Sequence, residues 1–404
     1  MRILITGLGA ISALGADAEA LSDALEAGRS GVVAHPGSAE HGLAPCAVAP
    51  VTQPLAVGLS PAQRNLHDRH SLLALEACAQ AWAQAGLPES ASEPDRAAVA
   101  WGTGLGGSTS MEASYQQMFT ARPPRIHPYT VVRVMANSAA SHLSMKYQLR
   151  SAQLAVSNAC ASSAQAIGEA LWLLRTGRAD LALVGGSESL LHVGSLLCWQ
   201  AMGVMAKLDA AAPAESCRPF DDARQGLVLG EGAAALVLET EAHALARGAR
   251  PLAELAGYGH STDAVHLSRP DAAGQERAMR MALQDAGLRP ADIGYVNAHG
   301  TATDAGDAVE AASVAAVFGA RGVPVSATKA LHGHLIGAGG ALELVATIQA
   351  LRRGRLPANA HLRSSALLDQ LDLIQGAPRA VAAEAALSNS FAFGGSNASL
   401  VVRL

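Results

Sequence analysis

The chain has 404 residues, 50% of them hydrophobic and 16% charged, with a formal net charge of -5. That length and balance allow a large core in one or two tightly joined domains and exclude a disordered chain. An aromatic content of 3% leaves little for stacking on nucleic-acid bases, and no long block of like charge offers a polybasic face to nucleic acid or membrane. Neither is expected as a partner.

In chain order, Ile3-Leu4-Ile5 reads as a strand, followed by Thr6-Gly7-Leu8-Gly9-Ala10-Ile11-Ser12. That segment is set against a dinucleotide-binding loop, but Ser12 replaces the third glycine and no acidic partner follows, so it is assigned to a structural turn. A helix is expected over Ala18 to Ala27, an irregular surface segment over Pro36 to Pro61, and a helix over Leu72 to Ala85. Buried strands fit Ala97 to Trp101, Leu181 to Gly185, Ala233 to Leu238, Ile293 to Asn297 and Ser399 to Val402, with a helix over Ala161 to Leu174. This alternation is an α/β pattern. The stretch Ala242 to Pro251 separates two regions that each restart with strands, which sets a boundary near residue 248 between 1–248 and 249–404. Pattern alone shows no internal duplication.

The cysteines Cys46, Cys78, Cys160, Cys198 and Cys217 are odd in number and form no C-x-x-C pair, so they read as reduced thiols rather than disulfides or a zinc cage. No run approaches about 18 apolar residues and no signal-peptide cleavage pattern is present, so a cytoplasmic protein is expected.

In Val156-Ser157-Asn158-Ala159-Cys160-Ala161-Ser162-Ser163-Ala164 a strand-like run meets a small-residue turn and an apolar helix. This places Cys160 at a helix entrance, where the dipole favours a thiolate. A cysteine alone in such a setting is commonly a small core residue. Partners stand downstream in Asn297-Ala298-His299-Gly300-Thr301-Ala302-Thr303 and Lys329-Ala330-Leu331-His332-Gly333-His334. Glycine-flanked histidines at strand ends lie where backbone can approach a substrate closely. One cysteine with two such histidines points to covalent acyl transfer. The later Phe391-Ala392-Phe393-Gly394-Gly395 loop supplies amides for an oxyanion.

These segments, with Arg218-Pro219-Phe220-Asp221 and Gly230-Glu231-Gly232, resemble the type II elongating β-ketoacyl-acyl-carrier-protein synthases of the thiolase-like superfamily, in order and spacing over essentially the full length. The resemblance implies a duplicated α-β-α-β-α layered fold with two mixed five-stranded sheets, the halves meeting near residue 248. It implies decarboxylative condensation of an acyl thioester with malonyl-acyl-carrier protein, in fatty acid or specialised polyketide or polyene synthesis. Cys160 becomes the acyl acceptor, His299 and His334 the pair that promotes decarboxylation, and Lys329 the residue that orders them. The amides of Cys160 and Phe393 form the oxyanion hole, and Phe393 gates the acyl pocket. Leu105 is expected in the pocket wall, with Thr301, Thr303, Phe391 and Gly394 also against substrate. Glu343 and Asp307 are expected behind the site. The family needs no cofactor and no catalytic metal, though a structural monovalent cation beside Glu343, Asn297, Ser388 and Asn389 is compatible with it. Expected partners are an acyl-carrier protein with its phosphopantetheine arm and a second subunit, either an identical chain or a ketosynthase-like one.

Departures from the family pattern are Asp304 for Pro, His332 for a small hydroxyl residue and Ala392 for Gly. Gly203 and Asn65 stand where basic residues are frequent, leaving Arg64, Arg69 and Lys207 as docking cations for a carrier. A chain-length-factor subunit is the alternative; such subunits usually lack the nucleophile that Cys160 supplies. A thiolase would call for a second cysteine near the C-terminus, and none follows Cys217.

Overall fold

A computed structural model describes all 404 residues. Its centre is an 11-stranded mixed sheet. From one edge the strands run Asp372–Leu373, Pro324–Ser326, Tyr295–Asn297, Ala385–Ala392, Ser396–Arg403, Ala253–Thr262, Ile3–Ser12, Gly232–Thr240, Leu181–Glu188, Ala97–Gly102 and Gln153–Val156. The seam is the antiparallel pairing of Leu4 with Glu254 and Ile5 with Ala253.

Outward from that seam each side repeats one topology. The first strand of each half lies at the seam; beyond it come the half's fifth, fourth, second and third strands in chain order. The first two pairings on each side are antiparallel and the next two parallel. This is the duplicated thiolase-like arrangement, and the duplication invisible in the residue pattern is plain in the strand order. The two five-stranded sheets expected from the sequence are corrected in one respect: the seam joins them into one ladder, extended by the short strand Asp372–Leu373.

Helices Ser162–Arg175 and Gly339–Arg353 touch each other and strands of both halves, forming the middle layer. Helices Arg69–Gln84 and Ser138–Tyr147 cover the outer face of the first half, and Ala272–Ala286 and Asp304–Phe318 that of the second. Both sheet faces are therefore covered, which explains the nearly unbroken apolar strands. In Gly232–Thr240, Ala234, Leu236 and Leu238 face the middle layer while Ala233, Ala235 and Val237 face the outer helices, the two-residue period of a strand.

The segment assigned to a turn after Ile5 is instead a continuation of the strand Ile3–Ser12. Gly7 and Gly9 lie beneath the helix Arg69–Gln84, where an added Cβ would come within 2.0 Å of the Ala81 carbonyl oxygen and 1.9 Å of that of Ala77. The glycines serve close helix-to-strand approach, not chain reversal. Gln84 and Gln80 accept the Leu8 and Ala10 amides at 2.6 and 3.0 Å. The segment 36–61, expected to be irregular, contains the strand Cys46–Ala49, which pairs in a small separate sheet.

Near the crossover between the halves, the buried Glu239 accepts hydrogen bonds from Arg247, His243 and Thr6. Burial opposes its charge, but those bonds outweigh it and hold the carboxyl at about 2, below the ordinary 4.5. Its stabilisation is present above pH 4.5 and is lost as pH falls toward 2. Glu239→Gln is expected to cost about 3 kcal/mol at neutral pH. Urea melts should show the gap from wild type closing at acid pH; a pH-independent gap would contradict the ion-pair origin.

Candidate active site

Three ends of structure converge on one cavity. Cys160 lies on the one-turn helix Ala159–Ala161, immediately before Ser162–Arg175. Ala159 takes a positive φ of 45°, a strained turn that delivers the thiol to the top of the central helix. Gly102, at the end of the strand Ala97–Gly102, lets that helix start press close: a Cβ there would meet the Ser163 amide nitrogen at 2.3 Å. The cysteine is 5% exposed.

His334 follows the short helix Lys329–His332. Its backbone is bracketed by the Arg218-to-Gly232 region, donating to the Val228 carbonyl at 2.7 Å and accepting from the Gly230 amide at 2.9 Å. The ring Nε2 lies 2.9 Å from Cys160 Sγ, and the Ile336 amide donates to Nδ1 at 3.2 Å. Because Nδ1 is an acceptor, the neutral ring carries its proton on Nε2, facing the sulfur. His299 ends the run from the strand Tyr295–Asn297. Lys329 Nζ donates to the His299 carbonyl at 2.5 Å and faces its Nδ1 at 3.3 Å, so this ring also carries its proton on Nε2. The two rings stand 5.3 Å apart, centroid to centroid, nearly perpendicular.

Burial, then the Lys329 charge, holds both histidines well below the ordinary imidazole range. Both are neutral N–H donors at neutral pH. Nitrogen-15 NMR of the ring nitrogens should show the Nε2-protonated neutral tautomer for both at pH 7 and still at pH 6, because a lowered pKa keeps the ring neutral until the pH falls well below 6.5. An imidazolium pattern at pH 6 would contradict this. Cys160 Sγ and the two ring nitrogens lie within 4.8 Å of one another. With both Nε2 protonated, the set is an array of donors rather than of metal ligands.

The dipole argument for a thiolate at Cys160 is outweighed. Burial pushes the thiol up to about 12, against the opposing pull of Lys329 and of the Phe393 and Cys160 amides directed at the sulfur. The resting group is a thiol.

Lys329, 1% exposed, also pairs with Glu343 Oε1 at 2.5 Å. Burial pushes the Glu343 carboxyl up while Lys329 pulls it back. Glu343 Oε2 and Asn297 Nδ2 are buried without a hydrogen-bond partner. An unpaired carboxylate oxygen, and an amide that can be turned to present its oxygen, are groups that could hold a hard monovalent cation. Asp307, on the helix Asp304–Phe318, accepts the Phe220, Thr301 and Ala302 amides at 2.6, 3.0 and 3.1 Å. Burial raises it to about 7.

The cavity beside Cys160 is about 160 Å³ and is lined by both histidines, Thr301, Thr303, Phe391 and Phe393. It holds the reacting groups; a long acyl chain needs more room. Trp199 stacks on Phe393 with centroids 6.2 Å apart. Gly395, not Gly394, reaches the cavity lining; the Gly394 amide donates to the Leu267 carbonyl at 2.7 Å. Leu105 is 56% exposed and does not line this cavity. Its loop is held by the buried carboxylate of Glu188, which accepts the Gly104 and Leu105 amides and turns the side chain outward.

Residues 1–244 match the β-ketoacyl synthase N-terminal domain and residues 252–363 its C-terminal domain. The chain belongs to the β-ketoacyl synthase family. It is 38% identical over 404 residues to nodulation protein E of Rhizobium meliloti strain 1021, covering 100% of this chain and 99% of the relative. It is 34% identical over 411 residues to 3-oxoacyl-[acyl-carrier-protein] synthase 2 of Coxiella burnetii, covering 99% and 98%. A solved β-ketoacyl synthase from Burkholderia phymatum STM815 superposes with a TM-score of 0.92 at 36% identity, covering 100% and 99%. The AntDE:AntF complex, a type II polyketide synthase acyl-carrier protein with its ketosynthase bound to the hexaketide, superposes at 0.89 with 27% identity, covering 100% and 98%. The protein is thus a ketosynthase-type, acyl-transferring condensing enzyme. No helix is long and apolar enough to cross a membrane.

Two acidic residues of this synthase escaped the sequence reading. Glu310 accepts the His299 and Gly300 amides at 2.7 Å each and so sets the turn that presents the imidazole. Its signal was available: it stands three residues after Asp307, on the same helix face. Glu188, fully buried, also accepts the Gly337 amide at 3.0 Å, joining the Leu105 loop to the turn after His334. Only its place at the end of the strand Leu181–Glu188 hints at this. Two of the departures have structural accounts. His332 is buried, with its ring nitrogens on the Gly333 carbonyl and Thr328 hydroxyl. Asp304 pairs with Arg224 at 3.0 Å. Among the docking cations, Arg69 is committed to Glu231, leaving Arg64 and the exposed Lys207.

Proposed function

We propose that this synthase condenses an acyl thioester with malonyl-acyl-carrier protein, losing carbon dioxide, in a specialised fatty acid or polyketide pathway. The observation that carries the reading is one thiol facing two neutral Nε2–H donors, with the Phe393 and Cys160 amides turned to the same sulfur. In the first half-reaction the Cys160 sulfur attacks the acyl carbonyl, the thiol's proton passes to the departing carrier sulfur, and the carrier leaves as its thiol while acyl-Cys160 forms. In the second, malonyl carbon–carbon cleavage releases carbon dioxide and an enolate, whose oxygen the His299 and His334 N–H groups stabilise. The enolate carbon attacks acyl-Cys160. The resulting oxyanion sits on the Cys160 and Phe393 amides, then collapses to the β-ketoacyl carrier and free Cys160. Loss of carbon dioxide drives the new bond, so the chemistry calls for no redox cofactor. Lys329, held by Glu343, fixes the His299 tautomer, and a monovalent cation at the unpaired Glu343 oxygen would balance charge there.

The relatives carry the names nodulation protein E and 3-oxoacyl-[acyl-carrier-protein] synthase 2. The altered gate at Ala392 and the thin basic surface favour a pathway-specific acyl chain and carrier. A second subunit, identical or ketosynthase-like, belongs to the same reading, with a chain-length-factor role as the alternative. Incubation with a panel of acyl-carrier proteins and mass spectrometry of Cys160 tests it. The expected result is one preferred acyl mass on Cys160, followed by loss of that mass when malonyl-carrier is added. No acylation from any carrier would leave the chain-length-factor reading in its place.

A further inference from the structure

Beyond the groups that meet the substrate, we infer that His332 is a positioning residue: its ring fixes the Gly333–His334 peptide and thereby aims the His334 N–H donor at the reacting atoms. What that donor does rests on the condensation reading above; how it is held rests on geometry alone. His332 is fully buried and ends the one-turn helix Lys329–His332, two residues before His334. Neither of its ring nitrogens is free.

The contacts assign the protons. A carbonyl oxygen can only accept, so His332 Nδ1, 2.7 Å from the Gly333 carbonyl, carries the ring proton. Nε2 is then the acceptor, and the Thr328 hydroxyl donates to it at 2.9 Å. Burial, then the Lys329 charge, pushes this imidazole down to about 3, so the neutral tautomer persists. With both nitrogens engaged the ring is held against rotation. It ties Thr328, which caps the turn that carries Lys329, to Gly333, which closes it.

The Gly333–His334 peptide needs that restraint. Gly333 sits at φ 70° and ψ -178°, a conformation open to glycine, which has no side chain to lock it. No backbone amide donates to its carbonyl, so His332 Nδ1 is the hydrogen-bond partner of that oxygen. The other edge of the same peptide unit is the His334 N–H, which donates to the Val228 carbonyl at 2.7 Å. Oxygen and N–H project from opposite edges of a planar trans peptide, so two bonds in opposite directions stop the plane from turning. His334 continues from that plane, and its Nε2 stands 2.9 Å from the Cys160 sulfur. A tilt at Gly333 would carry the imidazole off that line, and a misplacement of about 1 Å can cost about 10²-fold in rate.

The test uses the two ring positions separately, in the full chain. In His332→Asn the side-chain amide nitrogen falls where Nδ1 stood and keeps the bond to Gly333; in His332→Gln the amide falls where Nε2 stood and keeps only Thr328. Asn leaves the larger void, so packing alone makes His332→Asn the worse variant. The peptide clamp predicts the reverse order. With malonyl-acyl-carrier protein, His332→Gln should lower kcat for carbon dioxide release about 10–100-fold with KM unchanged, and His332→Asn should restore most of that rate. Nitrogen-15 NMR, with the His334 ring assigned by His334→Ala, needs no substrate: the Nε2–H signal should be displaced in His332→Gln and stay at its wild-type position in His332→Asn. A wild-type His334 signal in His332→Gln, or equal rates for the two variants beside an active wild type, would overturn the inference. A wild type that releases no carbon dioxide while the NMR order holds would overturn the condensation reading instead and leave the clamp standing.

Discussion

Cys160→Ala is expected to abolish the acyl-enzyme and to reduce elongation by at least about 10³-fold, because no other group can hold the acyl chain opposite the two histidines. The fold should survive. The substitution removes one sulfur from a position already at the edge of a cavity, for a stability change of about 1 kcal/mol. The same variant should retain malonyl decarboxylation, which draws on the imidazole donors and not on the sulfur. Intact-protein mass spectrometry for acylation, product analysis for elongation and carbon dioxide release for decarboxylation separate these steps. Elongation that persists in Cys160→Ala would remove the nucleophile from the scheme.

His299→Ala and His334→Ala should each slow decarboxylation by about 10²–10³-fold, the usual cost of losing one donor to a developing oxyanion. Cys160 acylation should suffer less. His334→Ala should slow acylation more than His299→Ala, since His334 Nε2 is 2.9 Å from the sulfur while His299 is held back on Lys329. Single-turnover acylation and carbon dioxide release, measured on the same preparations, provide the comparison. Equal losses in both half-reactions for both variants would contradict the division of labour.

Lys329 explains why two buried histidines remain usable. Its ammonium disfavours protonation of either ring and occupies His299 Nδ1, so one buried cation sets both charge state and tautomer. Its own burial is tolerable because Glu343 and the His299 carbonyl share its protons.

Much of this was readable in the residues alone, for a local reason. A nucleophile before a small-residue helix start, and histidines flanked by glycine, are short segments whose chemistry and backbone needs are written within about ten residues. Cys160, His299 and His334 were therefore identifiable, as was the α/β alternation of apolar runs; Lys329 entered only through the resemblance to a family. What required tertiary structure depends on partners far apart in the chain. The thiol of Cys160 is raised rather than lowered because burial, assembled from both halves, outweighs a single helix end. Gly7 and Gly9 lie in a strand because a helix some 70 residues later presses on them. Leu105 faces outward because Glu188 holds its backbone from another strand. The seam that joins two half-sheets rests on the pairing of Leu4 with Glu254 and Ile5 with Ala253, across about 250 residues. Local residue chemistry determined which groups could react; long-range packing decided their protonation, their orientation and which of them share a cavity.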